Sequence, residues 1–121
     1  MDKKVEMSFM FDFYGELLTK KQQEIVSMYC NQDLSLAEIA ERLEITRQGV
    51  HDALKHSEKT LYEMEEKLKL VEKFLNQKNM ITNALKNVNA LESEINNNKA
   101  DAVNNRIETI KSILESVISN S

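Results

Sequence analysis

Six polar residues at one end of a predicted helix carry the chemistry that spacing organises in this chain: Thr46, Arg47, Gln48, His51, Asp52 and Lys55. On a helix these positions share an outward face. Arg47 is placed for a bidentate contact to a guanine edge, and Gln48 for the equivalent contact to adenine. Lys20, Lys21, Arg42 and Lys59 are the candidates for holding phosphates. The charge count works against this reading. From Leu18 to Tyr62 there are six Lys or Arg and seven Asp or Glu. Affinity for nucleic acid rests largely on phosphate neutralisation and counterion release, so a balanced segment offers little field. Asp52 beside the groove-facing positions is a further penalty.

Other chemistries fare worse. His51 and His56 are five residues apart, which is not the i, i+4 spacing of a helical metal pair, and no third ligand accompanies them. Cys30 is the single cysteine, so neither a disulfide framework nor a CxxC metal site exists within one chain. Beside Tyr29 on an apolar helix it reads as a buried, inert thiol. Glu63, Glu65 and Glu66 read as a solvated helix face. There is no Gly-rich phosphate loop and no nucleophile–base pair. The expectation is a protein that is not an enzyme and takes no metal or cofactor.

The element that must position the six residues is Ser35 to Lys55, SLAEIAERLEITRQGVHDALK. It reads as a helix-turn-helix, the unit that places its second helix in a DNA major groove. Ile39, Leu43, Ile45, Val50 and Ala53 fall at its apolar positions, and Ala40 where only a small residue lets the helices cross closely. Ser35 with Glu38 forms a capping box, and Thr46 caps the second helix before Arg47. The turn position that favours glycine is Glu44, at some conformational cost.

Around this unit the remaining elements are helical, and the predicted class is all-α: a helix-turn-helix head over residues 1–62, then a long connecting helix and a C-terminal helical hairpin over 63–121. The first helix is apolar on two sides, with Met10, Phe13, Tyr14 and Leu17 on one and Met7, Phe11 and Leu18 on the other. Thr19 and Gln22 box the start of a second helix, whose inner stripe is Ile25, Val26, Met28, Tyr29 and Cys30. Val50, Leu54, Ser57, Leu61, Met64, Leu68, Val71 and Leu75 repeat at spacings of four and three, an a/d seam. The spacing predicts one helix up to a break at Asn76–Asn79. The head reaches only the first third of that seam. A homodimer through Phe11, Tyr14, Leu61, Met64, Leu68, Val71 and Leu75 is the expected way to cover the rest. The C-terminal hairpin packing on the long helix, in the same chain or the partner's, is the other candidate. In the tail, Ile81, Ala84, Leu85, Val88, Leu91 and Ile95 predict one amphipathic helix. Asn96–Asn98 predicts a turn, and Val103, Ile107, Ile110, Leu114 and Val117 a second helix.

At 121 residues, with 41% apolar residues, no Pro, two Gly and a net charge of −4, the chain fits a helical globular class. It shows no membrane span and no signal-peptide pattern, and a cytoplasmic location is expected. The string FDFYGELLTKKQQEIVSMY followed by LSLAEIAERLEITRQGVHDAL closely resembles the YlxM family, small bacterial proteins whose helix-turn-helix looks like region 4 of sigma-70 factors. Phe11 to Tyr14, Leu17 to Thr19, Lys21 and Gln22 carry the specific part. Glu38 to Thr46 carries a pattern shared by many regulators. The resemblance covers residues 5 to 75, and the last forty-odd residues fall outside it. It implies a gene beside those of the signal recognition particle pathway and a regulatory or accessory role there. Two functional classes therefore stand open: a DNA-binding regulator, and a protein- or RNA-interaction module of the particle that does not bind DNA.

Overall fold

Each helix of the first unit begins where a side chain can satisfy the free amides of its first turn. The structure is a computed structural model and describes residues 1–119. Among these the chain is all-α. Helix α1 spans Lys3–Tyr14 and is capped by Asp2, whose Oδ1 accepts the Lys4 amide at 2.9 Å. A 3-10 turn over Gly15–Leu17 leads to α2, Lys20–Cys30. Thr19 accepts the Gln22 amide at 3.2 Å and Gln22 accepts the Thr19 amide at 3.0 Å, the reciprocal box expected. Helix α3 spans Leu36–Leu43, α4 Arg47–Leu68, α5 Leu70–Asn96 and α6 Ala100–Ser119. The chain divides into two compact units, Met1–Val71 and a second beginning at Glu72. The first therefore reaches beyond residue 62, where the sequence places the end of the head.

In the first unit α1, α2 and α3 all pack on α4. The buried stripe of α4 is Val50, Leu54, Ser57 and Leu61, the first half of the expected seam. It meets Met7, Met10 and Tyr14 of α1, Ile25 and Val26 of α2, and Ile39 and Ala40 of α3 in one core. Ser57 is fully buried and its Oγ has no partner, so it acts as a small residue between helices at some desolvation cost. The buried residues of α1 and the turn after it come from both expected faces: Met10 and Tyr14 from one, Met7 and Leu18 from the other. Phe13 and Leu17, expected inside, are exposed. The 3-10 turn causes this for Leu17, because it ends the helical register at Tyr14. Gly15 is needed there, since a Cβ would lie 2.8 Å from the Phe11 ring.

The seam does not run on as one helix. Helix α4 stops at Leu68, and Lys69 adopts the left-handed conformation, φ 58°. The break is held from a distance. The Tyr14 hydroxyl donates to Glu65 Oε1 at 2.6 Å and accepts the Leu70 amide at 3.0 Å, while Glu65 Oε1 also accepts the Val71 amide at 3.0 Å. Two free amides at the start of α5 are thereby satisfied by α1 and α4. No break occurs at Asn76–Asn79, which lie inside the 27 residues of α5. The residues expected at a dimer seam are mostly occupied within the chain. Tyr14, Leu61 and Val71 are buried, Phe11, Met64 and Leu75 are half-buried, and only Leu68 is exposed.

The second unit is the expected hairpin. Asn97 and Asn98 form the turn, with Asn98 left-handed at φ 56°. Its inner seam differs from the expected one. Ala84, Asn87, Leu91 and Glu94 on α5 face Val103, Arg106, Ile110, Ile113 and Val117 on α6, all buried or half-buried. Ile81, Leu85, Val88 and Ile95, together with Ile107 and Leu114, turn outward. At the centre Arg106 donates from Nη1 to Asn87 Oδ1 and from Nη2 to Glu94 Oε1, both at 2.7 Å. Asn87 Nδ2 donates to the Asn83 carbonyl at 2.8 Å. A polar layer therefore occupies the middle of the hairpin, and no residue of α6 is buried.

Candidate nucleic-acid interface

The turn between α3 and α4 has three residues, Glu44 to Thr46. Glu44 is left-handed, φ 56°, ψ 43°, at the position where a glycine would be unstrained. The Ile45 amide reaches back to the Ala40 carbonyl at 3.1 Å and closes the end of α3. Thr46 Oγ1 accepts the Gly49 amide at 2.9 Å and starts α4. A Cβ on Gly49 would lie 3.1 Å from that Oγ1, so the missing side chain keeps the cap undistorted. Ser35 and Glu38 exchange two bonds of 3.1 Å at the start of α3. Ile39 and Val50 are fully buried and Ala40 nearly so at the crossing, while Leu43, Ile45 and Ala53 are half-buried.

Thr46, Arg47, Gln48, His51, Asp52 and Lys55 are all exposed. Arg47, His51, Lys55 and Lys59 recur every four residues along α4, a stripe of about 18 Å. Arg47, Gln48 and His51 line one open groove of about 370 Å3, whose other wall is Ser35, Leu36 and Ala37. Lys20 and Lys21 stand apart on the exposed first turn of α2, and Arg42 Nη1 approaches Gln32 Oε1 at 3.5 Å. None of these three lines the groove.

Two features of the site were not anticipated. Gln48 Nε2 donates to Asp52 Oδ1 at 2.9 Å, and His51 Nδ1 lies 3.5 Å from the same oxygen. Asp52 thus organises the two residues beside it as well as subtracting charge. The i, i+4 spacing of Gln48 and Asp52 is the signal that could have found it. Glu38 is the second. The backbone amide of Ser35, and then its hydroxyl, hold the Glu38 carboxyl below the usual carboxylate range. A negative charge is already seated at the start of α3, where a phosphate would otherwise be favoured.

Among the described residues no group of three or more His, Cys, Asp or Glu is arranged to hold a metal ion. Burial raises the Cys30 thiol above its ordinary value, which disfavours the thiolate. No helix among the described residues is long and apolar enough to cross a membrane.

The geometry is that of a capped, closely crossed helix-turn-helix, and comparison with known proteins agrees. A family model described as "Putative helix-turn-helix protein, YlxM / p13 like" matches residues 1–102. The chain belongs to the YlxM/p13-like family. A UPF0122 protein of Acetivibrio thermocellus is 47% identical over 117 residues, covering 96% of this chain and 100% of that protein. One from Desulforamulus reducens is 43% identical over 88 residues, 73% of this chain and 75% of the relative. One from Bacillus cereus is 42% identical over 96 residues, 79% of this chain and 86% of the relative. The YlxM/p13-like match extends past residue 75, where the sequence resemblance stops. The Acetivibrio relative matches through most of the hairpin as well, so the tail is not peculiar to this chain.

Proposed function

We propose that the chain is a non-catalytic regulatory protein of the cytoplasm that binds DNA through the first half of α4. The observation that carries this is the stripe of Arg47, His51, Lys55 and Lys59, exposed and starting at the turn of a well-capped helix-turn-helix. It answers the balanced charge of the head by placement, because the basic groups gather on the groove-facing helix. Arg47 supplies the contact to guanine. Gln48 reads adenine only after leaving Asp52, which lowers the net gain from that contact. Lys55 and Lys59, with Lys20, Lys21 and Arg42, contribute phosphate contacts, and Glu38 at the α3 start opposes one. The outcome is weak, salt-sensitive binding to random DNA, with tighter binding confined to specific sites. A homodimer suits this role, since two heads would read two half-sites.

The test is titration of labelled random duplex at low and near-physiological salt. Sub-micromolar affinity for random DNA at the higher salt would contradict the weak generic mode. At a selected site, Arg47→Ala should cost about 1–3 kcal/mol of specific binding, the usual worth of a bidentate base contact. Melting should not change, because Arg47 is on the exposed first turn of α4. A sharp drop in melting would make the residue structural.

A second reading has its own support in the outward apolar side chains of the hairpin, which suit helix–helix contacts more than nucleic acid. In it the chain is an accessory module of the signal recognition particle, the role that its YlxM resemblance implies. Co-purification with the particle's GTPase or RNA, run with and without nuclease, discriminates the two. Retention of the particle by the Arg47→Ala variant together with absence of DNA binding would favour this second reading.

A further inference from the structure

The hairpin carries a second apolar face on the outside. Ile81, Leu85, Val88 and Ile95 of α5 and Ile107 and Leu114 of α6 are between 37% and 58% exposed. Each lies one position after an inner-seam residue or at the same helical register, about 100° around its helix. In an antiparallel pair that rotation carries both stripes to the same side. The opposite rotation leads to Asn83, Lys86 and Ser93 on α5 and to Asn105, Thr109 and Ser112 on α6, all exposed, with Ala90 and Ala102 as the half-buried apolar residues on that mainly polar side. The hairpin is therefore two-faced. Its apolar face displays on the order of 500 Å2 of hydrocarbon, the upper end of what a soluble monomer leaves open.

The charges on that face select the occupant. Arg106 bridges Asn87 and Glu94, which sets the register. Val88 follows Asn87 as Ile107 follows Arg106, so the two mark one level of the outer face to within about a turn. Glu92 lies one turn from that level, toward the Asn97–Asn98 turn. Lys111 lies one turn from it on the other side. Both are exposed and both interrupt the apolar stripes. A face with an acid and a base placed evenly about its midpoint is complementary to itself when turned end for end.

We propose that this face is a self-association surface, where two copies pack hairpin on hairpin into a four-helix bundle, Glu92 of each sharing a layer with Lys111 of the other. The proposal rests on the two-copy form given above and locates its surface. The seam at Leu61 to Leu75 offers less, because Leu61 and Val71 are already buried within one chain. Covering the six apolar side chains and their rim approaches the roughly 800 Å2 per partner of a standard stable interface.

Sedimentation of the full chain over roughly 1 to 100 µM, at the weak end of the affinities that interfaces of this size reach, tests it. The wild type should show a monomer–dimer equilibrium. Leu85→Glu should weaken it at least tenfold with unchanged far-UV circular dichroism, since Leu85 is exposed in the single chain. Glu92→Lys and Lys111→Glu should each weaken association about tenfold, by setting like charges in two layers. Mixing these two variants should restore dimers, as heterodimers, and so should combining both substitutions in one chain. A wild type monomeric throughout would overturn the proposal, as would a Leu85→Glu variant that still dimerises. Failure of both rescues would overturn the end-for-end arrangement, leaving an apolar face that takes some other occupant. Arg47→Ala should leave association unchanged, so loss of DNA binding and loss of the dimer are read separately.

Discussion

The head and the hairpin are written in the same periodic pattern, yet only the head spends it on a core. On α4 the spacing of four and three gives Val50, Leu54, Ser57 and Leu61, all buried, because α1, α2 and α3 cover that stripe from three directions. On α6 the same spacing gives Val103, Ile107, Ile110, Leu114 and Val117, none of them buried. One helix can cover only one stripe of its neighbour. In the hairpin the covered stripe of α5 carries Asn87 and Glu94, which meet Arg106 of α6, and the more apolar stripe of α5 is left outside. Helix α6 keeps Val103, Ile110, Ile113 and Val117 on its covered side. A heptad pattern says which residues share a face of a helix. It does not say what meets that face.

The sharpest test of this difference is a pair of leucine truncations. Leu61→Ala should cost about 3 kcal/mol, the middle of the range for a buried leucine, and the loss should be the same at every protein concentration. Leu114→Ala should cost little in dilute solution, where its side chain is half in water. Its effect should grow with protein concentration, because it acts on a dimer that stabilises the folded chain by mass action. Thermal unfolding followed by circular dichroism at two concentrations checks both. Equal losses in dilute solution would erase the distinction between the units.

Local chemistry was legible where it is local. The boxes at Thr19 and Ser35, the cap at Thr46 and the turn at Asn97–Asn98 depend on residues within one turn of each other, and the sequence pointed to each. The exposure of Thr46, Arg47, Gln48, His51 and Lys55 was legible for the same reason, since their face follows from the apolar one. The break at Lys69 was not. Nothing near it stops a helix, and a left-handed lysine costs roughly 1–2 kcal/mol. What offsets that cost is Tyr14, brought from α1 to the Leu70 amide by tertiary packing. The expected break at Asn76–Asn79 failed conversely: asparagine is only a mediocre helix former, and α5 continues through it. The inner face of α5 differs from the expected one because counting apolar residues favours Ile81, Leu85, Val88 and Ile95, while Arg106 draws Asn87 and Glu94 inward. On α6 the expected Val103, Ile110 and Val117 do lie at the seam.

That tertiary latch supplies the next test. Tyr14→Phe removes the hydroxyl from Glu65 and from the Leu70 amide and should cost about 2 kcal/mol, as for a buried hydrogen bond to a charged group. The Leu70 and Val71 amides should exchange faster while those of α2 and α3 do not. Unchanged protection would mean that the break is held by something else. The pH dependence adds a sign. Burial, and then the Glu65 carboxylate, push the Tyr14 phenol above its ordinary value of 10.0. A raised value contributes stability that is complete below the unfolded value and lost as pH climbs through the folded one. The gap between wild type and Tyr14→Phe should therefore narrow in strongly alkaline solution. No counterpart exists in the hairpin, whose central polar layer contains no tyrosine.

The smallest effect separates the two units by their ion pairs. In the hairpin Arg106 and Glu94 sit at the inner seam; in the head the Lys4–Asp33 pair lies on the surface, with Lys4 Nζ also 4.5 Å above the Tyr29 ring. A surface pair is screened and contributes little, so Lys4→Met should shift melting only slightly at neutral pH. The methionine keeps an apolar stem near Tyr29, which leaves the charge as the main change. The hydrogen bond from Lys4 holds the Asp33 carboxyl below its usual 3.8, and the bond to Asp33 holds Lys4 above its usual 10.5. The lowered carboxylate contributes stability that is complete above the unfolded value and disappears as pH falls through the folded one. The small difference between wild type and Lys4→Met should thus vanish well below pH 3.8, and Asp33→Asn should remove it at every pH. A difference that survives in acid would assign the contribution to the lysine stem packed on Tyr29, and the head would then owe nothing to this charge pair.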